Sequence, residues 1–261
     1  MTSPTFGGLD IGSRSVKLVL LRDGTVVHEE VRYHTHDPLA VCQELLAGHH
    51  PDRLIATGYG RRFGEAKWGC RTVTEIRAVA VGARHLFPDC RTLIDIGGQD
   101  TKSVGLDCEG KTHKFEMNDK CAAGTGRFLE VMAMALGLSI GEFAATALSS
   151  TETAQVNDMC TVFAESEVVS LIARGISKDS LARGLHLSVV RKAAALAHRV
   201  GLQAPVILCG GVGHNACVRT LLEENLGMEI RVPKNPQTVA ALGAGLIAMQ
   251  EAKVKAQEAY S

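Results

Sequence analysis

The sequence lacks the cysteine spacings of the common metal and disulfide proteins. None of its eight cysteines forms a CxxC pair, which disfavours a zinc ribbon and a ferredoxin-type cluster run. The first residues, MTSPTFGGLDIG, have neither the basic nor the apolar segment of a secretory signal, so we expect a cytoplasmic protein. In that reducing compartment a disulfide framework is also disfavoured.

Net charge and long apolar runs are missing as well. The 28 basic residues balance 28 acidic ones, and no apolar run approaches the ~18 residues of a membrane span. We therefore predict neither a nucleic-acid nor a membrane partner. Hydrophobic residues make up 46% of the 261 residues, which is enough for one large or two moderate domains with substantial cores.

Two cysteines stand out because they share a context. Cys121, in NDKCAAGTGRFLE, and Cys160, in NDMCTVFAESEVV, each follow an Asn-Asp pair and precede an amphipathic run of helical spacing. We expect both thiols at helix N-termini, where the helix dipole favours a thiolate, or an anionic cluster bound by one, by about 0.3–1 kcal/mol. The other six cysteines fall in apolar elements or near turns and share no pattern.

An internal repeat organises the first part of the chain. DIGSRSVKLV, which starts at Asp10, aligns with DIGGQDTKSV, which starts at Asp95, and each segment joins two apolar strands. Such a duplication predicts two similar subdomains. Glycines let backbone N–H groups approach phosphate oxygens, and the two aspartates can hold magnesium directly or through its waters. A single Asp-Ile-Gly corner is more often an ordinary tight turn, but two copies of it favour a nucleotide-binding site.

Two later segments place glycines at packing positions. PVILCGGVGHN, from Pro205 to Asn215, is an apolar strand, a glycine-rich turn and the start of a helix. It is either a tightly packed strand–helix junction or a backbone surface for adenosine. NPQTVAALGAGLIAMQEA, from Asn235 to Ala252, predicts a helix with Pro236 in its first turn and Ala-Gly positions that allow close helix packing.

From Gly7 to about Met249 the chain resembles the acetate and sugar kinase, Hsp70 and actin superfamily. GLDIGSRSVK, DIGGQDTK and GGVGHN are similar to its two phosphate motifs and its adenosine motif. More narrowly, the cysteine segments resemble those of the ATP-dependent activators of 2-hydroxyacyl-CoA dehydratases, whose family includes the ATPase subunits of benzoyl-CoA reductase. The resemblance implies an α/β, actin-like ATPase fold of two ribonuclease-H-like subdomains: residues 1–90, with a C-terminal helix of about 245–261 packed back on them, and residues 91–244.

The same resemblance implies a site for ATP or ADP with Mg²⁺. Asp10 and Asp95 would organise magnesium, and Gln99 or Asp100 would orient the attacking water. The cofactor-binding residues are expected on the three motifs and the cysteine loop: Gly12, Ser13, Arg14, Ser15, Lys17, Gly97, Gly98, Gln99, Gly124, Gly126, Gly210, Gly211, Gly213 and Asn215. Lys17 and Lys102 could each reach a phosphate, but lysines on strands are usually solvated. Both alternatives stay open for these two side chains. Glu75 is either a carboxylate at a helix start, which is the commoner case, or an outer partner of the magnesium ion.

The resemblance also implies a 4Fe-4S cluster that bridges a homodimer. Such a cluster usually takes four thiolates, and Cys121 and Cys160 from each of two chains would supply them. The implied function is ATP-driven transfer of one electron, at low potential, to a partner iron–sulfur enzyme in anaerobic metabolism. That partner is a 2-hydroxyacyl-CoA dehydratase, with an aromatic-ring reductase or another iron–sulfur protein as the alternatives, and the electron donor is ferredoxin or flavodoxin.

Two rival functions keep the nucleotide site without the cluster. A small-molecule kinase needs a positioned base and a substrate pocket, and an actin-like assembly protein needs docking inserts; neither is evident in the sequence. Fold class alone does not decide among these functions. The change Cys121→Ser does, because a kinase or a filament should tolerate it whereas an activator should lose its iron.

Overall fold

The structure is a computed structural model that describes residues 3–119, 121–156 and 161–258. It divides into two compact units. As far as they are described, Met1–Cys90, Leu106–Thr112 and Gln237–Ser261 form unit 1, and Arg91–Gly105 and His113–Pro236 form unit 2. Residues 106–112 and 237–244 therefore belong to unit 1, whereas the sequence had placed them in the second subdomain.

Unit 1 is built on a five-stranded mixed sheet of order β3-β2-β1-β4-β5. Its strands are β1 Thr5–Ile11, β2 Ser15–Arg22, β3 Thr25–Tyr33, β4 Arg53–Thr57 and β5 Arg71–Thr72. Its helices are α1 Pro38–Leu46, α2 Arg61–Trp68, α3 Glu75–Leu86 and α9 Val239–Glu258. Strands β1 to β3 are antiparallel, whereas β4 runs parallel to β1. Helix α3 begins at Glu75, as predicted.

The core of unit 1 anchors the corner between β1 and β2. Leu9 and Ile11 of β1 and Leu18 of β2 are fully buried, and they form one cluster with Cys42 and Leu45 of α1. Burial of a leucine or isoleucine side chain stabilises the fold by roughly 1.5–3 kcal/mol. The turn that follows Asp10 is therefore held by strands that are packed on both faces.

Helix α9 packs closely on α3, as the Ala-Gly positions of the sequence predicted. A Cβ atom on Gly243 would overlap the carbonyl oxygen of Ala78, and one on Gly82 would overlap the carbonyl oxygen of Val239. Only residues without a side chain let the two backbones approach so closely. This packing keeps the C-terminal helix in unit 1.

The predicted position of Pro236 in the first turn of that helix is wrong. Helix α9 begins at Val239. The Pro236 carbonyl instead accepts a hydrogen bond from the Gly210 N–H (N···O 2.9 Å), and the proline ring lies against Gly213. Pro236 is therefore held by unit 2, and the helix starts only after the chain has left that unit.

Unit 2 repeats the strand order of unit 1, β10-β9-β6-β7-β8. Its strands are β6 Thr92–Ile96, β7 Thr101–Leu106, β8 Thr112–Asn118, β9 Val206–Cys209 and β10 Ile230–Arg231. Its helices are α4 Gly126–Ala135, α5 Ile140–Ser149, α6 Thr161–Ala173, α7 Lys178–Arg199 and α8 Ala216–Leu226. Strand β6 is antiparallel to β7 and parallel to β9, so the sequence repeat is also a structural repeat.

Helices α4, α5, α7 and α8 enclose the core of unit 2. Phe128 and Phe143 are among its largest buried side chains, and Leu185 of α7 belongs to the same cluster. Across the described ranges, no single helix has both the length and the apolar composition of a membrane span, and α4 and α5 meet that test only jointly, across an 83° bend.

Candidate functional site

The first Asp-Ile-Gly corner lies in unit 1, where β1 turns into β2. The Gly12 N–H donates to the Ser15 carbonyl (N···O 3.1 Å), and Asp10 stands opposite Lys17 in the strand register. The Asp10 Oδ2 atom lies 2.9 Å from Lys17 Nζ. Its Oδ1 atom is buried without a hydrogen-bond partner among the described residues. Because a buried, unpaired carboxylate oxygen is costly, Oδ1 is suited to receive a cation or a water of its hydration shell.

A histidine that no sequence pattern indicated braces this turn. Ser13 and Arg14, at the tip, are half-buried, and the Arg14 carbonyl accepts the His34 N–H (N···O 3.1 Å). The His34 Nε2 atom lies 3.0 Å from the Gly12 carbonyl oxygen. Since a carbonyl only accepts, Nε2 carries the proton in this arrangement. Both sides of the turn are thereby fixed to the end of β3.

The second corner, in unit 2, repeats the backbone geometry where β6 turns into β7. The Gly97 N–H donates to the Asp100 carbonyl (N···O 2.9 Å), and Asp95 stands opposite Lys102 in the register. Asp95 is buried. The Lys102 ammonium, also buried, lies 2.6 Å from Asp100 Oδ2. The two copies thus match in backbone, while the second adds a carboxylate within its turn.

The two residues predicted to orient the attacking water differ in their exposure to solvent. Asp100 is half-buried and bound to Lys102. Gln99, one position earlier at the tip of the turn, is exposed. Gly98, beside it, is half-buried.

A glycine backbone lies directly against each aspartate, and of these two glycines the sequence analysis had listed only Gly210. Gly58 follows β4 with φ +87°, a conformation that favours glycine, and a Cβ atom there would overlap Asp10 Oδ1. Gly210 follows β9 with φ +82°, and its Cβ atom would overlap Asp95 Oδ1. The available signal was an apolar strand followed by glycine, which occurs in LIATGYG as well as in VILCGG.

The predicted adenosine motif forms a tight turn in unit 2. A 3₁₀ turn spans Gly211–His214, and the Gly213 N–H donates to the Gly210 carbonyl (N···O 3.0 Å). Gly211 is exposed. Asn215 is buried, and its Oδ1 atom caps α8 by accepting the Val218 N–H at 3.0 Å. The sequence had grouped Asn215 with the cofactor-binding residues, and its side chain here points into the unit.

The cysteine loop, residues 121–125, connects the end of β8 to α4. Cys121 is exposed and forms no disulfide. Helix α4 begins only at Gly126. The prediction that Cys121 lies at the start of this helix is therefore wrong. The reason is Asn118, whose Nδ2 atom donates to the carbonyls of Cys121 and Ala123 at 3.1 and 3.2 Å and holds them in a loop. Cys160 lies outside the described residues, and α6 begins at the next position.

Hydrogen bonds join this loop to the second phosphate turn. Two N–H groups at the start of α4 donate to that turn, Gly126 to the Gly97 carbonyl and Arg127 to the Gly98 carbonyl, each with N···O 2.9 Å. The Thr101 hydroxyl, which is buried, donates to the Gly124 carbonyl at 2.7 Å. Unit 2 therefore brings the predicted phosphate and cysteine segments into direct contact.

Burial distinguishes several other cysteines from Cys121. It raises the pKa of the Cys42 and Cys217 thiols to about 12 and raises that of Cys70, so these thiols stay protonated near neutral pH and are poor metal ligands. Cys108 is exposed like Cys121. In the part of the chain that the structure describes, no three His, Cys, Asp or Glu side chains are grouped to hold a metal. A metal at Cys121 therefore needs further ligands.

Comparison with known proteins places the chain among ATPases. Residues 8–248 match the BadF/BadG/BcrA/BcrD ATPase family. The chain is 43% identical over 258 residues to the activator of lactoyl-CoA dehydratase of Anaerotignum propionicum, an alignment that covers 95% of this chain and 98% of that protein. It is 39% identical over 254 residues to the (R)-2-hydroxyglutaryl-CoA dehydratase activating ATPase of Acidaminococcus fermentans, with 94% and 97% covered.

A solved structure extends the similarity to the fold. The activator of the 2-hydroxyisocaproyl-CoA dehydratase from Clostridium difficile, solved with bound ADPNP, has a TM-score of 0.88 and 37% identity, with 97% of each chain covered. The predicted α/β fold is confirmed, and the structure builds it from two five-stranded sheets of the same strand order. The chain belongs to the BadF/BadG/BcrA/BcrD ATPase family.

Proposed function

We propose that this chain is the ATP-dependent activator of a 2-hydroxyacyl-CoA dehydratase and works as a homodimeric one-electron donor. The observation that carries the proposal is the hydrogen-bonded junction in unit 2 between the second phosphate turn and the cysteine loop. Through this junction, a change at the bound nucleotide would reach the proposed redox group directly. Similarity to proteins named as dehydratase activators, at 43% and 39% identity, favours a dehydratase over an aromatic-ring reductase as the partner.

The two Asp-Ile-Gly corners would hold the nucleotide and its magnesium. Asp10 Oδ1, buried and without a hydrogen-bond partner among the described residues, has the donor chemistry that Mg²⁺ or its waters require. Asp95 is buried at the equivalent place in the repeat. Bound magnesium neutralises phosphate charge during hydrolysis. Gln99 would orient the attacking water, so that ATP and water give ADP and phosphate.

Cys121 and Cys160 of each protomer would hold one 4Fe-4S cluster between two chains. Such a cluster takes up one electron and passes it on. The Cys121 thiol fits this role because it is exposed and disulfide-free, while the role of Cys160 rests on its sequence context. A ferredoxin or flavodoxin would supply the electron, and the iron–sulfur centre of the partner enzyme would accept it.

Coupling would pass through the backbone at the start of α4. When the γ-phosphate leaves, a shift of Gly97 and Gly98 would move the N–H groups of Gly126 and Arg127 that bind their carbonyls. Moving a two-state population from 1:99 to 99:1 takes about 5.5 kcal/mol of differential affinity. Contacts to a γ-phosphate and its magnesium are of that kind.

The test compares Cys121→Ser with Cys108→Ser, which changes the other exposed cysteine of the described residues. Both variants and the wild type are purified without oxygen. Iron, sulfide, ADP binding, the electron resonance of the dithionite-reduced protein and activation of a 2-hydroxyacyl-CoA dehydratase are then measured. We expect Cys121→Ser to lose iron, the reduced signal and activation while it still binds ADP, and Cys108→Ser to retain all of them.

Two results would contradict the proposal. A Cys121→Ser protein that keeps its iron and its reduced signal would remove the cysteine loop from the redox site. A wild-type protein that binds ATP but contains no iron when prepared without oxygen would return the choice to a kinase, and phosphoryl acceptors would then be screened.

A further inference from the structure

Helix α7 carries a buried histidine, His186, behind the adenosine turn. Its Nδ1 atom lies 2.8 Å from the Ala182 carbonyl oxygen, and since a carbonyl only accepts, Nδ1 carries the proton. In the neutral ring Nε2 is then an acceptor. It lies 3.1 Å from the Nδ2 atom of Asn215, while the Phe143 ring packs on the imidazole with centroids 4.3 Å apart.

Asn215 extends this chain of hydrogen bonds to the turn itself. Its Oδ1 atom accepts the Val218 N–H at 3.0 Å, and its own backbone N–H donates to the Val212 carbonyl at 2.9 Å. Asn215 thus closes the 3₁₀ turn and caps α8 at once. Its amide orientation is fixed from both sides, because Oδ1 must face a donor and Nδ2 must face an acceptor.

We propose that His186 is a positioning residue for nucleotide binding: by accepting a hydrogen bond from Asn215, it fixes the turn that presents Gly211 and His214 to the adenosine part of ADP or ATP. The inference rests on the proposed ATPase function and on the adenosine role that the family resemblance implies for GGVGHN. Gly211 and His214 are exposed, whereas His186 and Asn215 are buried. His186 and Asn215 therefore support the turn from its buried side. The backbone of the turn and its exposed residues, Gly211 and His214, would contact the nucleotide.

Loss of the imidazole acceptor has a definite local consequence. A buried amide N–H left without a partner is strongly unfavourable, so the Asn215 side chain would rotate or move toward solvent. Either movement breaks the Val218 cap or pulls on the Val212 bond. The turn would then sample other conformations, and ADP binding would have to select the competent one.

Two amide variants separate the two hydrogen bonds of the ring. His186→Gln reaches the position of Nε2 and can still accept from Asn215, whereas His186→Asn reaches only the position of Nδ1 and keeps the bond to Ala182. Calorimetry at pH 7.5 measures the Kd of each protein for ADP with Mg²⁺, and urea unfolding shows that each is folded. We expect His186→Gln within about threefold of the wild type and His186→Asn weaker by about tenfold or more.

Asn215→Asp provides a second variant with a different signature. The carboxylate of this variant still accepts the Val218 N–H but places a second acceptor opposite His186 Nε2. At pH 8 the two acceptors repel each other, so ADP should bind weakly. At pH 6 a proton on His186 bridges the pair, so ADP should bind more tightly. The Arg183–Glu224 ion pair, at 2.8 Å between α7 and α8, is present in both proteins. The wild type should not show this improvement toward pH 6.

The outcomes separate the two levels of the proposal. If the wild type does not bind ADP, the proposed function fails and this inference with it. If the wild type binds ADP and the two His186 variants bind ADP with the same affinity as each other, the inference alone is overturned. The same holds if both variants lose affinity only in proportion to their folded fraction. An Asn215→Asp protein with the same pH profile as the wild type would also overturn it.

Discussion

At the scale of single residues, the two aspartates of the repeat have different electrostatic surroundings. Asp10 is paired with Lys17, which balances its charge, and still keeps one unpaired oxygen. In the second copy, the Lys102 ammonium lies against Asp100, a carboxylate within the turn that the first copy lacks. The repeat therefore keeps its backbone geometry while the charged groups around the turn differ.

His186 predicts a pH dependence of stability. Burial lowers its pKa from 6.5 to about 4, against the opposing effect of its bond to the Ala182 carbonyl. Below pH 6.5 the unfolded chain therefore takes up a proton that the folded chain excludes. The contribution of His186 to stability is complete above pH 6.5 and is lost as the pH falls toward 4. Between pH 7.5 and pH 5 the free energy of unfolding should fall by about 2 kcal/mol on this account.

The measurement is urea unfolding of the wild type and His186→Gln at pH 7.5 and pH 5. The variant lacks the titrating ring, so its loss of stability on acidification should be smaller by about 2 kcal/mol. Other ionisable groups are common to both proteins and cancel in the difference. An equal loss in the two proteins would show that His186 is protonated in the folded state.

At the scale of elements, local patterns predicted the repeat but not what tertiary contacts impose on it. The β1–β2 corner and its copy were readable because apolar strands run straight into Asp-Ile-Gly, and the start of α8 was readable from Asn215. Gly58 was missed because its importance arises from the parallel pairing of β4 with β1, which local spacing does not encode. The loop between Cys121 and α4 was missed because Asn118 at the end of β8 holds it.

The glycine wall beside Asp10 gives a prediction for Gly58→Ala. The added Cβ atom would overlap Asp10 Oδ1 and force a positive φ on alanine, so we expect a loss of about 1–3 kcal/mol in stability and a displaced carboxylate. ADP affinity in the presence of Mg²⁺ should fall about tenfold. Urea unfolding and calorimetry measure the two effects.

Gly24→Ala is the matched control for backbone strain. Gly24 has φ +80° and nothing within 4 Å of its Cβ position, so the substitution adds similar strain without touching Asp10. It should lower stability by about 1 kcal/mol and leave ADP affinity unchanged. If both variants bind ADP like the wild type, the walling of Asp10 has no role in nucleotide binding.

The junction between phosphate turn and cysteine loop gives a prediction for Thr101→Val. Valine keeps the shape of threonine but removes the hydroxyl that donates to the Gly124 carbonyl. One such bond is worth about 1 kcal/mol, which corresponds to a factor of about five. The amount of dehydratase activated per ATP hydrolysed should therefore fall about fivefold, while the rate of ATP hydrolysis changes by less than about twofold. Parallel assays of phosphate release and dehydratase activation measure this ratio.

Thr92→Val controls for the loss of a buried hydroxyl in the same sheet. The Thr92 hydroxyl donates to the Gln203 carbonyl at 2.8 Å and accepts the Gln203 N–H at 2.9 Å, at the opposite end of β6 from the phosphate turn. Its replacement should lower stability at least as much as Thr101→Val does, without changing the ratio of activation to hydrolysis. If the two variants lower that ratio equally, the effect comes from general destabilisation.

At the scale of the whole molecule, the ligand count connects iron content to assembly. Within the described ranges no single chain groups three metal-ligating side chains, and Cys121 is an exposed thiol that needs partners. If two chains share one cluster, iron binds the dimer and not the monomer, and mass action makes it stabilise the dimer. We therefore expect about four irons per two chains and dissociation to monomers when a chelator removes the iron.

Sedimentation at micromolar concentration, without oxygen, measures this linkage between iron and dimer. The iron-loaded wild type and Cys108→Ser should sediment as dimers, whereas the chelator-treated wild type and Cys121→Ser should dissociate at least about tenfold more readily, since a shared cluster contributes to the dimer free energy. ADP is kept at the same concentration throughout, so that nucleotide effects on assembly are equal. Iron-loaded monomers, or four irons in every chain, would contradict a bridging cluster, because each chain would then supply all the ligands from its own residues.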